Sequence, residues 1–85
     1  MKIQLKLFAS LREALGQSIE DIELPEQIQT MQELKDWLGQ RNERWHRVLI
    51  ESKNIRVAMD QEMVEWNSII KNNAEVAFFP PVTGG

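Results

Sequence analysis

The 85-residue chain has no cysteine and no tyrosine, one histidine, three prolines and four glycines. Without cysteine it forms no disulfide, offers no thiolate nucleophile and builds no thiolate metal site. The single histidine stands in Arg44-Trp45-His46-Arg47, away from any carboxylate cluster, so neither metal binding nor imidazole catalysis is expected there. Ser10 lacks the glycine-flanked frame of a strained nucleophile turn, which argues against a hydrolase. Long apolar runs are missing as well, and a bilayer span needs about 20 such residues. Ten Lys and Arg stand against thirteen Asp and Glu, a net charge of −3, and no cationic run is present to follow a phosphate backbone. Neither a membrane nor a nucleic acid is an expected partner. The acidic stretch Glu20, Asp21, Glu23, Glu26 lacks calcium-loop spacing and reads as a solvated face. Met1-Lys2-Ile3 leads straight into an alternating pattern with no signal-peptide core, so the cytoplasm is the expected compartment.

What is present is the balance of one small folded domain, 42% hydrophobic and 27% charged. Ile3, Leu5 and Leu7 alternate with Lys2, Gln4 and Lys6, which predicts a half-buried strand running to Phe8. Ser10, with Glu13 three residues on, is expected to cap a short helix over 11–15 that Gly16 closes in the left-handed conformation. A second strand follows over 18–24, with Ile22 and Leu24 on one face, and Pro25 ends it. Thr30 and Glu33 form another capping box, ahead of Met31, Leu34 and Leu38 at helical spacing, so the main helix is placed over 31–40 with Trp37 as a packing residue. Residues 40–54 are polar apart from Trp45 and Val48-Leu49-Ile50, and read as a loop with one irregular apolar anchor. Ile55, Val57 and Met59 lead into a two-residue turn at Asp60-Gln61 and a short return through Val64. A turn over 67–73 and a last strand over 75–79, stopped by Pro80-Pro81, complete the chain.

This order predicts an α+β domain, a ubiquitin-like β-grasp in which one main helix packs on one face of a mixed sheet and the first and last strands lie side by side. The domain is expected over 1–81, with 82–85 as a flexible tail. Alternation sends Ile3, Leu5, Leu7, Val57, Val64, Val76 and Phe78 to the helix side, and leaves Phe8, Met63, Ala77 and Phe79 on the opposite face. Large apolar residues from three strands on a face that a single helix cannot cover predict a partner surface. The tail adds a second expectation. Pro80 and Pro81 stiffen the exit, and Gly84-Gly85 make a tip thin enough for a channel that rejects side chains. From Val82 to Gly85 the extended reach is about 13 Å. The composition implies a tail without order in the free protein.

The string Glu75-Val76-Ala77-Phe78-Phe79-Pro80-Pro81-Val82-Thr83-Gly84-Gly85 closely resembles the C-terminus of the small subunits of molybdopterin synthase, the MoaD-type sulfur carriers. Leu5 to Gly16 is similar to that family's first strand and following turn, and Arg56 to Val64 to its hairpin, although Asp60-Gln61 departs from the family's usual Asn-Gly type of turn. The resemblance implies that the Gly85 carboxylate is adenylated with ATP by a MoeB-type activating enzyme, becomes a thiocarboxylate and delivers its sulfur at the large (MoaE-type) synthase subunit. It further implies that Phe8, Met63 and Phe79, with Pro80, Pro81, Val82, Thr83 and Gly84 of the tail, meet the partner. On this reading the chain is the carrier subunit of a sulfurtransferase, with no catalytic side chain, bound cofactor or metal of its own. The thiamine-pathway carrier of the same fold and a ubiquitin-like modifier joined through Gly85 are the rival readings.

Overall fold

The computed structural model describes residues 1–81. A five-stranded mixed sheet is built from β1 (Lys2–Leu7), β2 (Ile19–Glu23), β3 (Arg56–Met59), β4 (Glu62–Val64) and β5 (Ala74–Phe79), in the spatial order β2-β1-β5-β3-β4. The β1 and β5 strands run parallel at its centre, and the other neighbouring pairs are antiparallel. One face carries Ile3, Leu5, Leu7, Val57, Val76 and Phe78, all buried, against Met31, Leu34 and Leu38 of helix α2 (Met31–Leu38). Trp66 packs edge-on against Phe78 with centroids 5.6 Å apart, and its indole N–H donates to the Ile55 carbonyl. The β-grasp expectation therefore holds, including the adjacent first and last strands.

Local chemistry explains most of the boundaries. At the start of α2 the Thr30 hydroxyl accepts from the Glu33 amide at 3.1 Å, and the Glu33 carboxylate accepts from the Thr30 amide at 3.0 Å, satisfying two otherwise unpaired donors. The Gln29 amide also donates to that carboxylate, and these bonds hold the Glu33 pKa below its ordinary value. In the β3–β4 hairpin Asp60 and Gln61 both take positive φ, 50° and 72°, the pattern of a tight turn that matches strand twist. The register is the expected one, Val57 opposite Val64 and Ala58 opposite Met63. Asp60 is further tied to β5, its amide donating to the Glu75 carbonyl and its carboxylate accepting from the Glu75 amide.

Two expectations are corrected. Ser10 is no cap: helix α1 (Ala9–Leu15) begins two residues earlier than the capping-box reading requires, with Phe8 in extended conformation at the cap position and no side-chain cap bond. The Phe8 carbonyl accepts from the Leu11 and Arg12 amides, and Ser10 falls inside the first turn. Gly16 does close α1 at φ 73°. The segment 40–54 keeps its expected apolar anchor at Trp45, but residues 43–51 within it are helical and not loop. Asn42 caps a one-turn helix, α3 (Glu43–His46), by accepting from the Trp45 amide, and a π-helical turn (Arg47–Glu51) continues it. Trp45 and Leu49 are buried, and Ile50 lies so close to Gly39 that an added Cβ would meet its Cγ1 at 2.5 Å. Arg41 secures this segment, forking onto Glu20 of β2 at 2.8 and 2.6 Å while its guanidinium lies 4.5 Å from the Trp45 ring centroid. The Arg41 bond is the main reason that the Glu20 carboxyl titrates below its ordinary range.

Candidate functional site

The sheet face turned away from α2 is built by the alternate residues of all five strands. Across its middle the register sets Ile19, Lys6, Ala77, Ala58 and Met63 in one row. In the next row Phe79 lies opposite Arg56. Phe8, which follows β1, stacks on Phe79 with ring centroids 4.9 Å apart and an interplanar angle of 6°. Such a pair contributes about 0.5–1.5 kcal/mol beyond the area it buries, and it fixes the direction of both rings. Phe8 nevertheless stays 38% exposed and Met63 56% exposed, while Phe79 is half-buried. Ala77 and Ala58 also lie on this face, yet both are buried beneath their larger neighbours. An apolar surface results, with the stacked rings at one side, Met63 at the other and small side chains between.

The chain leaves the sheet at this surface. Phe79 ends β5, Pro80 is half-buried and Pro81 is exposed. Phe8, Met63, Phe79, Pro80 and Pro81 are thereby placed on one side of the molecule at the root of the tail. Val82, Thr83, Gly84 and Gly85, and with them the expectations about the tail's order and reactivity, lie outside the described residues.

Charge is placed around the apolar centre. Lys6 is bound to Glu75 at 3.0 Å, and Gln4 donates to Asp21 toward the β2 edge. Ile19, 56% exposed in the middle row, was missing from the expected surface, although the parity that sends Ile22 and Leu24 inward sends it outward. Arg56 was missing too, because an exposed cation carries no periodic signal. His46 is exposed on α3, its Nδ1 3.2 Å from Glu51, remote in sequence from any strand of this surface. Trp37 and Trp45 pack against the core, as expected. Among the described residues no group of three His, Cys, Asp or Glu is placed to hold a metal ion, and no helix is long and apolar enough to cross a membrane.

The profile of the ThiS family matches residues 5–85. The chain belongs to the ThiS family. A relative with the same domain span, the molybdopterin synthase sulfur carrier subunit of Haemophilus influenzae, is 34% identical over 83 residues, covering 98% of this chain and 99% of the relative. Among solved structures, subunit 1 of the molybdopterin converting factor from Pyrococcus furiosus superposes with a TM-score of 0.78 at 27% identity, over 96% of this chain and 99% of that one. The complex of subunits 1 and 2 of the molybdopterin-converting factor from Helicobacter pylori gives a TM-score of 0.65 at 18% identity, covering both chains fully, and shows the shared fold. The strand order of this ThiS-family chain is thus that of a fold shared with these solved structures.

Proposed function

We propose that this chain is the sulfur-carrier small subunit of molybdopterin synthase, acting through the carboxylate of Gly85. The likeness of nearly the whole chain to a named sulfur carrier subunit carries the reading. The geometry supports it, because an apolar face beside the root of a Pro-Pro-Val-Thr-Gly-Gly tail lets a partner hold the domain while the tip reaches away from it.

The chemistry follows from the terminus. A carboxylate resists nucleophiles at neutral pH, so its oxygen is first made a leaving group: ATP supplies AMP to form an acyl-adenylate, with loss of pyrophosphate, in a MoeB-type enzyme. A sulfur nucleophile then displaces AMP and leaves a thiocarboxylate. At the large synthase subunit the thiocarboxylate sulfur bonds to a carbon of the pterin precursor toward the dithiolene, water then cleaves the acyl–sulfur bond, and the carrier returns as a carboxylate. ATP is thus consumed by the activating enzyme, and the carrier holds no cofactor. Phe8, Met63, Phe79, Pro80 and Pro81 serve as the docking residues, with Val82, Thr83 and Gly84 threading the partner's channel. Neither cysteine nor a catalytic side chain is required of this chain.

Intact mass spectrometry after incubation with ATP, a MoeB-type enzyme and a sulfur donor tests this. The protein is expected to gain about 16 Da, the exchange of one oxygen for sulfur. The gain disappears when Gly85 is deleted, with the thermal melt unchanged. A mass that never moves with a competent enzyme sinks the carrier reading. A charged carrier that yields no molybdopterin with the large subunit and precursor points to a thiamine-pathway carrier, and an isopeptide bond to lysine points to a modifier.

A further inference from the structure

Of the three strand cations on the uncovered face, Lys2 lies two outward positions along β1 from Lys6, and the other two, Lys6 and Arg56, stand beside the apolar centre. Lys6 is neutralised by Glu75 at 3.0 Å. Arg56 is exposed and, among the described residues, in no ion pair. Its position follows from the register: it lies opposite Phe79, one outward residue along β3 from Ala58, which in turn faces Met63. A partner that touches both the Phe8–Phe79 stack and Met63 therefore also covers Arg56. Covering an unpaired guanidinium is costly, because the lost hydration must be replaced by a counter-charge and hydrogen-bond acceptors.

Two sources of that counter-charge exist. Continuing the β3–β4 register past Val64 puts Glu65 opposite Arg56, and both line an open groove of ≈ 560 Å³ that Met63 and Pro81 also border. Glu65 is exposed and unbonded to Arg56 although the two are register neighbours, and its side chain, like that of Arg56, stays free to face solvent. The guanidinium is a planar fork that suits a carboxylate with two equivalent oxygens, and it stands beside the exit of the tail. We infer that the partner occupying this face presents an aspartate or glutamate to Arg56, next to where it receives the residues after Pro81. The inference rests on the docking role proposed above for the uncovered face. Arg56 is then a specificity residue: the apolar patch supplies adhesion, and the Arg56–carboxylate pair admits acidic-rimmed partners and rejects neutral or basic ones.

Calorimetric titration of the large synthase subunit with full-length wild type, Arg56→Met, Arg56→Lys, Arg56→Glu and Glu65→Gln, at low and high salt, tests it. Each variant is first shown to melt as wild type does. Arg56→Met is expected to weaken binding about tenfold and Arg56→Glu about a hundredfold, with Arg56→Lys between wild type and Arg56→Met. The salt dependence of Arg56→Met should be shallower than that of wild type, and Glu65→Gln should bind within about twofold of it. Arg56→Met binding like wild type overturns the inference alone. So does an equal loss in Glu65→Gln, which would make Glu65 the counter-ion. Failure of wild type itself to bind overturns the docking role and this inference together.

Discussion

Phe79 joins the uncovered face to the fold, since its ring is stacked on Phe8 and half-buried at the end of a central strand. Changing it to aspartate removes the stack and sets a charge in the middle of the apolar surface. Stability should fall by about 1.5–3 kcal/mol, the value of the aromatic pair together with the area of a half-buried ring. Binding to the large subunit should weaken by more than tenfold, as for an aromatic anchor of an interface. A denaturant melt beside a binding titration checks both. A stability loss of several kcal/mol would instead make Phe79 a core residue. At this scale the direction of a side chain is legible in the sequence because strand parity dictates it, and Phe8, Met63 and Phe79 all point as parity requires. Burial is less legible: Ala77 and Ala58 share the outward face but are covered, because exposure depends on the size of neighbours brought in from other strands. Ser10 shows a further limit. The Ser-x-x-Glu spacing fits a capping box, but the extended Phe8 starts the helix early and takes the cap position from it.

Among the elements, α2 was readable from its Thr30–Glu33 box and its apolar spacing, both local properties. The segment after it was not, because its helical turns exist to seat Trp45, Leu49 and Ile50 on a surface made by distant parts of the chain. Asn42, three residues ahead of Trp45, was the available local cue. Gly39 is the hinge of that packing. At φ −65° an alanine is conformationally acceptable and would ordinarily stabilise by about 0.4–1 kcal/mol. Here its Cβ would meet Ile50 Cγ1 at 2.5 Å and Cδ1 at 2.8 Å. Overpacking prevails, and Gly39→Ala should destabilise by about 1–3 kcal/mol in urea melts. Combining it with Ile50→Ala, which opens the space, should cost less than the sum of the two single changes.

For the whole molecule, the clamp from Arg41 to Glu20 and Trp45 links the β2 edge of the sheet to the helical segment that follows α2 in the chain. The folded Glu20 pKa is depressed, so its contribution is fully present above the ordinary glutamate pKa of about 4.3 and is lost as pH falls through the folded value. Melts of wild type and Arg41→Gln from neutral pH down to about pH 2 should therefore converge. A residual gap at the acid end measures the Arg41–Trp45 contact, which does not titrate. A gap of constant size across the range would mean that the ion pair adds nothing. The strand order was legible because each strand carries its own alternation and the turn at Asp60-Gln61 fixes the hairpin register. The central pairing of β1 with β5 carries a consequence for biosynthesis. Ile3 finds Ala74 beside it only after about 70 further residues have been made, so a nascent chain holds β1 with one flank unpaired until β5 emerges. Closure of the sheet waits for β5, and a ribosome stalled before that strand displays an unfinished chain that quality-control proteases can recognise.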